Sequence, residues 1–173
     1  LRAHYQEAGL PASFQIIDAG EQQSLIKRLI KQKGLDEDRY PAKEIQSYIN
    51  YQKEQGLRAA QLTPDGLRTQ QWLEIYNLYE ETCNRDGLVD FTELLLRSYE
   101  LLAMHDGLLR RYQQQFKHIL VDEFQDTNQL QYLWLKILVG AESEIFAVGD
   151  DDQSIYSFRG AKVSNMRAFL RDF

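Results

Sequence analysis

Two short apolar runs, each closing on acids, constrain this chain more than any other feature. The first is Ile119-Leu120-Val121, inside KHILVDEFQD at Lys117–Asp126, and it stops at Asp122 and Glu123. The second is Ile145-Phe146-Ala147-Val148, and it stops at Gly149-Asp150. A continuous apolar run of this length suits a strand buried on both faces, as in a parallel sheet. Between the runs, Leu130, Leu133, Trp134, Ile137 and Leu138 recur at helical spacing, with Thr127 or Asn128 to cap the helix and Gly140 to end it. Strand, helix and strand in this order form a βαβ unit, which should be parallel and right-handed. Both strand ends then emerge on one edge, where open α/β sheets bind ligands. That edge would gather Asp122, Glu123, Asp150, Asp151, Asp152 and Gln153. Acids so crowded repel one another unless a cation or a basic partner sits among them. One carboxylate can hold Mg²⁺ through its water shell, and the next can orient or polarise an attacking water. For the run ending on Asp122-Glu123 taken alone, a strand followed by a solvated acidic turn is an equal reading.

The chain upstream has a different texture. Asp18, three residues before Glu21, forms a capping box ahead of Leu25, Leu29 and Ile30. Lys27, Arg28, Lys31 and Lys33 read as a solvated face that also complements the helix dipole. Pro41 opens a second helix with Ile45, Tyr48 and Ile49 on its apolar face, and Gly56 ends it. Thr63-Pro64 reads as the start of a third, whose stripe is Leu67, Trp72, Ile75, Tyr76, Leu78 and Tyr79 up to Cys83. These aromatics could stack on bases, but at this spacing they read as core. Asp86-Gly87 breaks the helix, and Asp90 with Glu93 makes a second capping box before Leu94, Leu95, Leu96, Leu101 and Leu102. Gly107 interrupts before a short basic helix. Leu1–Ala8 is also helix-compatible, and Phe14, Ile16 and Ile17 read as an apolar link. Residues 1–115 are therefore expected to be all-helical, and residues 116–173 to carry the partial parallel sheet and a closing helix. The fold class is mostly α with a partial α/β portion.

Composition excludes several functions. Hydrophobic residues make up 43% of the 173, enough for a core, and the formal net charge of -6 rules out a general polyanion binder. Nucleic acid would have to be met by a local patch. Cys83 is the only cysteine, so no internal disulfide exists, and His4, His105 and His118 lack partners at zinc spacing. No apolar run reaches the ~20 residues that span a bilayer, and no signal peptide is legible, so the expected compartment is the cytoplasm. The chain begins at Leu1, inside what reads as a helix, and is expected to be a piece of something longer. In the loop Asp150–Gly160, aromatic Tyr156 and Phe158 alternate with Ile155 and Arg159. Aromatic and cationic groups beside a phosphate-binding edge are what base stacking with backbone contact would use. Equally, Tyr156 and Phe158 could simply cover the sheet edge.

Val121–Asn128 (VDEFQDTN) and Val148–Ala161 (VGDDDQSIYSFRGA) together resemble motifs II and III of the superfamily 1A helicases, the UvrD/Rep/PcrA group. Gly87–Phe91 and Leu1–His4 are similar to that family's segments upstream, so the resemblance covers essentially the whole chain. It implies that the helical part is like subdomain 1B and that residues from about 116 are part of RecA-like subdomain 1A. It implies ATP-driven 3′ to 5′ unwinding of DNA, with ATP and Mg²⁺ as cofactors. Its partners would be single-stranded DNA and single/double-strand junctions, in repair or replication and together with proteins of those processes. By the resemblance, Asp122 would hold Mg²⁺, Glu123 would activate the hydrolytic water and Gln153 would sense the γ-phosphate. Tyr156 and Phe158 would contact single-stranded DNA, and Arg159 would link the nucleotide and DNA sites. The family usually has Trp at the position of Phe158, and the smaller ring should stack more weakly.

The glycines of this sequence include no G-x-x-x-x-G-K-[ST] loop to cradle the α- and β-phosphates. The family's second RecA-like domain, which brings arginines to the transition state, is also not in this sequence. The expectation is half an ATPase site and part of a DNA track, inactive alone, with weak and salt-sensitive affinity for single strands. Two readings of other classes stand beside it. One is a non-catalytic helical interaction module with vestigial motifs. The other is a metal-dependent phosphohydrolase built on Asp150–Asp152. Within the family, a helicase-nuclease subunit is a further reading.

Overall fold

The computed structural model describes residues 1–150 and 164–173. It divides into two compact units, Leu1–Leu94 and Leu95–Phe173.

In the first unit, helices α1 (Ala19–Gln32), α2 (Ala42–Glu54) and α3 (Leu67–Asp86) pack around one core. The Asp18 capping box forms as expected: Glu21 N donates to Asp18 Oδ1 at 2.8 Å, and Asp18 N donates to Glu21 Oε2 at 2.9 Å. Leu25, Ile26, Leu29 and Ile30 from α1 meet Ile45 and Ile49 from α2 and Ile75, Tyr76 and Tyr79 from α3. Each such buried apolar side chain is worth about 1.5–3 kcal/mol relative to exposure. Tyr76 and Tyr79 are fully buried, so these aromatics are core as read. Lys27, Arg28, Lys31 and Lys33 are exposed. Gly87 closes α3 in the left-handed region at φ 66, and a Cβ there would lie 2.7 Å from Pro11 Cγ.

Three expectations for this unit are corrected. Residues 1–115 are not all-helical: β1 (Gln15–Ile16) pairs in parallel with β2 (Leu88–Val89), Gln15 opposite Leu88 and Ile16 opposite Val89. Two-residue strands are too short to show periodicity, and this pair depends on a partner more than seventy residues away. Leu1–Ala8 is not a full helix but a 3-10 turn at Arg2–His4 followed by turns up to Gly9. Finally, α3 starts at Leu67 with Gly66 as its cap, rather than at Thr63-Pro64. Thr69 Oγ1 donates to Asp65 Oδ1 at 2.6 Å, which fixes the turn that precedes the helix.

Helix α4 (Phe91–Met104) runs across the division at Leu94–Leu95. In the second unit, α5 (Asp106–Gln115) follows after a break at His105 rather than at Gly107. Next come β3 (His118–Val121), a 3-10 turn (Phe124–Asp126), α6 (Gln129–Leu138), β4 (Glu144–Ala147) and α7 (Ser164–Asp172). Asn128 caps α6 in a reciprocal box with Gln131, as the sequence suggested. Strands β3 and β4 pair in parallel, His118 opposite Glu144 through Val121 opposite Ala147. The βαβ unit is therefore present.

The expectation that these strands are buried on both faces is overturned. Ile119, Val121 and Ala147 pack against Phe124, Tyr132, Leu135 and Phe169 on one side. On the other side Leu120 is 79% and Phe146 66% exposed. The two-residue period of a strand sends alternate side chains to opposite faces. An unbroken apolar run announces that both faces can be buried, but among the described residues α6 and α7 cover only one of them.

Candidate functional site

The site is built at the carboxyl end of β3 and β4. The ladder continues one step past the strands: Val148 N donates to Val121 O at 2.8 Å, and Phe124 N donates to Val148 O at 2.9 Å. Parallel pairing therefore brings Asp122, Glu123, Gly149 and Asp150 out on the same edge. This is the convergence that the strand-helix-strand pattern implied.

Glu123 is the only non-glycine residue with positive φ among the described residues, at φ 51 and ψ 43. The left-handed region costs a residue with a Cβ roughly 1–2 kcal/mol. Local bonds hold it there. Asp122 Oδ1 accepts from Glu123 N at 2.9 Å, and Asp126 N donates back to Glu123 O at 2.9 Å. The reversal turns Phe124 and Gln125 inward, each only 2% exposed, and leaves Asp122 and Glu123 facing solvent. Phe124 anchors the turn by packing edge-on against Phe169, ring centroids 5.0 Å apart. Thr127 Oγ1 donates to Phe124 O at 2.7 Å, and buried Asn165 of α7 donates to Thr127 O at 3.0 Å. The turn is thus tied to the sheet, to α6 and to α7.

One residue that the sequence did not single out joins the two strand ends. Gln125 Nε2 donates to Glu123 Oε2 at 2.6 Å, and Gln125 Oε1 accepts from Asp150 N at 3.0 Å. A polar residue in an acidic turn gives no hint that its amide is buried. The only available signal was its place two residues after Glu123. Asp126 Oδ1 is also buried here, with no hydrogen-bond partner among the described residues.

Gly149 makes the crossing of the two segments feasible. A Cβ at this position would lie 2.6 Å from Gln125 Oε1, 3.2 Å from Gln125 N and 3.3 Å from Phe124 Cβ. Two of those atoms are fixed by the turn and cannot swing aside. Gly149→Ala is expected to cost about 1–3 kcal/mol, the usual range for overpacking. A shift of the urea midpoint without a change of slope checks this. A wild-type midpoint would show that the turn has slack.

Of the residues read from sequence as candidates, Asp122, Glu123 and Asp150 come together. Gln153, Tyr156, Phe158 and Arg159, with Asp151 and Asp152, lie outside the described residues. Among the described residues no three acid, histidine or cysteine side chains are grouped to hold a metal ion. Asp122 nevertheless fits a hydrated Mg²⁺. Its carboxylate is exposed at the edge, with Oδ1 accepting from Glu123 N, and a magnesium ion commonly keeps most of its waters. Among the described residues, surface grooves elsewhere include one around Arg110, Lys117 and Glu142 and another around Asp18, Glu21 and Arg28. No helix among the described residues is long and apolar enough to cross a membrane.

The model of the UvrD/REP helicase N-terminal domain family matches residues 1–173. DNA helicase II of Haemophilus influenzae is 52% identical over 174 residues, covering 100% of this chain and 24% of the relative. DNA helicase II of Escherichia coli is 49% identical over 174 residues, with the same coverage of 100% and 24%. The ATP-dependent DNA helicase PcrA of Leuconostoc citreum is 35% identical over 175 residues, covering 100% of this chain and 23% of the relative. The chain therefore spans about a quarter of the length of these curated relatives.

Proposed function

Because the chain belongs to the UvrD/REP helicase N-terminal domain family, we propose that it is a segment of an ATP-driven DNA helicase and supplies one wall of its nucleotide site. The observation that carries this is the shared strand edge, where Asp122 and Glu123 stand beside Asp150 and Gln125 ties the Glu123 carboxylate to the Asp150 backbone N–H. Magnesium-bound ATP would supply an electrophilic γ-phosphorus and a leaving group there. Asp122 would hold the ion through water. Glu123 would orient the attacking water and take its proton. Gln153 would sense the γ-phosphate, Tyr156 and Phe158 would stack on bases of single-stranded DNA, and Arg159 would connect the two sites. The whole protein would move 3′ to 5′ along single strands and open duplex junctions in repair or replication, in the cytoplasm.

The division into a 1B-like helical part and a 1A-like part belongs to the same proposal. Its bounds are residues 1–115 for the helical part and 116–173 for the part that carries the parallel pair of β3 and β4.

The test uses the full-length protein that contains this segment. Asp122→Asn should raise the Mg²⁺ concentration needed for half-maximal DNA-stimulated ATP hydrolysis. The 173-residue chain alone should release no phosphate from ATP, since it has no phosphate-cradling glycine loop. An unchanged Mg²⁺ requirement, or turnover by the isolated chain, would refute the assignment.

A further inference from the structure

The Gln125 amide is buried, at 2% residue exposure, and both of its ends are engaged. Its Nε2 reaches Glu123 Oε2 at 2.6 Å and its Oε1 takes the Asp150 N–H at 3.0 Å. The partners fix its orientation. A carboxylate can only accept and a backbone N–H can only donate, so a flipped amide would lose both bonds. Gly149 leaves the space that Oε1 occupies. The bonded residue, Glu123, is also the one held in a left-handed backbone conformation. Strain of this kind persists where surrounding structure enforces it, and it clusters at functional sites.

We propose that Gln125 is a positioning residue for hydrolysis, a two-ended clamp that holds the Glu123 carboxylate in one rotamer by reference to the end of β4. The proposal rests on the reading of Glu123 as the group that orients the attacking water. An exposed glutamate free of this bond would sample several rotamers, and only a fraction of bound nucleotide would meet it in a productive position. The bond to Gln125 removes that freedom before nucleotide arrives. A general base gains from being within hydrogen-bond reach of its water in a fixed geometry, and a displacement of about 1 Å costs about a hundredfold in rate. The Gln125 Nε2 donor is directed at the Glu123 carboxylate, so the clamp acts on that group.

The experiment is a double-mutant cycle in the full-length protein, measuring DNA-stimulated ATP hydrolysis. Gln125→Met keeps the volume and removes both bonds. Gln125→Glu keeps an acceptor for the Asp150 N–H and replaces the attraction on Glu123 by repulsion. Gln125→Met should lower kcat by up to about a hundredfold while KM for ATP stays within about twofold. Gln125→Glu should lower kcat at least as far. If Gln125→Met does not fold, Gln125→Glu carries the test. In a Glu123→Gln background, either substitution should reduce the residual turnover no further, because the group being positioned is gone. Equal losses in the two backgrounds would mean that Gln125 is only a packing element and would overturn the clamp. So would wild-type kcat in both single variants alongside an inactive Glu123→Gln. Full turnover by Glu123→Gln alone would instead overturn the reading of Glu123, and the clamp with it.

Discussion

Replacing Lys53 by methionine is expected to destabilise the helical unit by about 3–5 kcal/mol, the cost of leaving buried carboxylates without their cation. Lys53 is 2% exposed, near the C-terminal end of α2. Its Nζ lies 2.7 Å from Asp90 Oδ2 and 2.9 Å from Glu93 Oε2. Asp90 also accepts from Tyr79 Oη at 2.7 Å and, through Oδ1, from Glu93 N at 2.7 Å, which is the N-cap bond of α4. Arg58 takes the Glu93 carboxylate in a fork, at 2.8 and 2.9 Å, and reaches Glu80 at 3.0 Å. Burial pulls the Lys53 ammonium down, but Glu93 and Asp90 outweigh it and hold its pKa above the ordinary lysine value. A raised value stabilises the fold fully below the unfolded lysine pKa of about 10.4, and that stability fades only as pH rises through the folded value. The Lys53 contribution should therefore be fully present in the wild type at both pH 6 and pH 8. Urea unfolding read by Trp72 in a Trp134→Phe background measures it in this unit. Adding Asp90→Asn to Lys53→Met should recover part of the loss, since one stranded charge is removed. A loss below about 1 kcal/mol would mean that water reaches the carboxylates once the lysine is gone.

This network also marks where the sequence stops being informative. Asp90 followed by Glu93 is visible as a cap, and the N-cap bond is there. Nothing local says that Lys53 and Arg58, more than thirty residues upstream, converge on Glu93. A lysine near the end of an amphipathic helix looks solvated. Lys53 instead falls on the stripe of Ile45 and Ile49, so its burial follows from helical periodicity and runs against its residue type. The parallel unit was legible for the opposite reason: two apolar runs and the helix between them are close in sequence and leave one topology. Its burial was not, because Leu120 and Phe146 carry the same apolar signal whether or not anything covers them. The convergence of Asp122, Glu123 and Asp150 followed from topology alone. The role of Gln125 did not, since it depends on a 3-10 turn and on a left-handed glutamate that no propensity scale favours.

Glu123→Gln in the full-length protein is expected to lower DNA-stimulated ATP hydrolysis by about 10²–10⁴-fold, the usual contribution of a positioned general base. At 1.36 kcal/mol per tenfold, that is roughly 2.7–5.4 kcal/mol of transition-state stabilisation. The substitution is close to isosteric. The amide oxygen can still accept from Gln125 Nε2, so the turn keeps its shape, and the left-handed backbone is strained no more by glutamine than by glutamate. What is lost is the capacity to take a proton from water. KM for ATP should therefore stay near wild type while kcat falls, because binding the nucleotide does not use this group. Duplex unwinding should fall in parallel, since it draws on hydrolysis. The competing readings give different results. A phosphohydrolase built on Asp150–Asp152 would hydrolyse small phosphate esters with Mg²⁺ and be indifferent to Glu123→Gln. A vestigial interaction module would show no turnover in wild type to lose. Turnover within tenfold of wild type, with normal KM, would remove Glu123 from the chemistry and leave its strained backbone as a purely structural device.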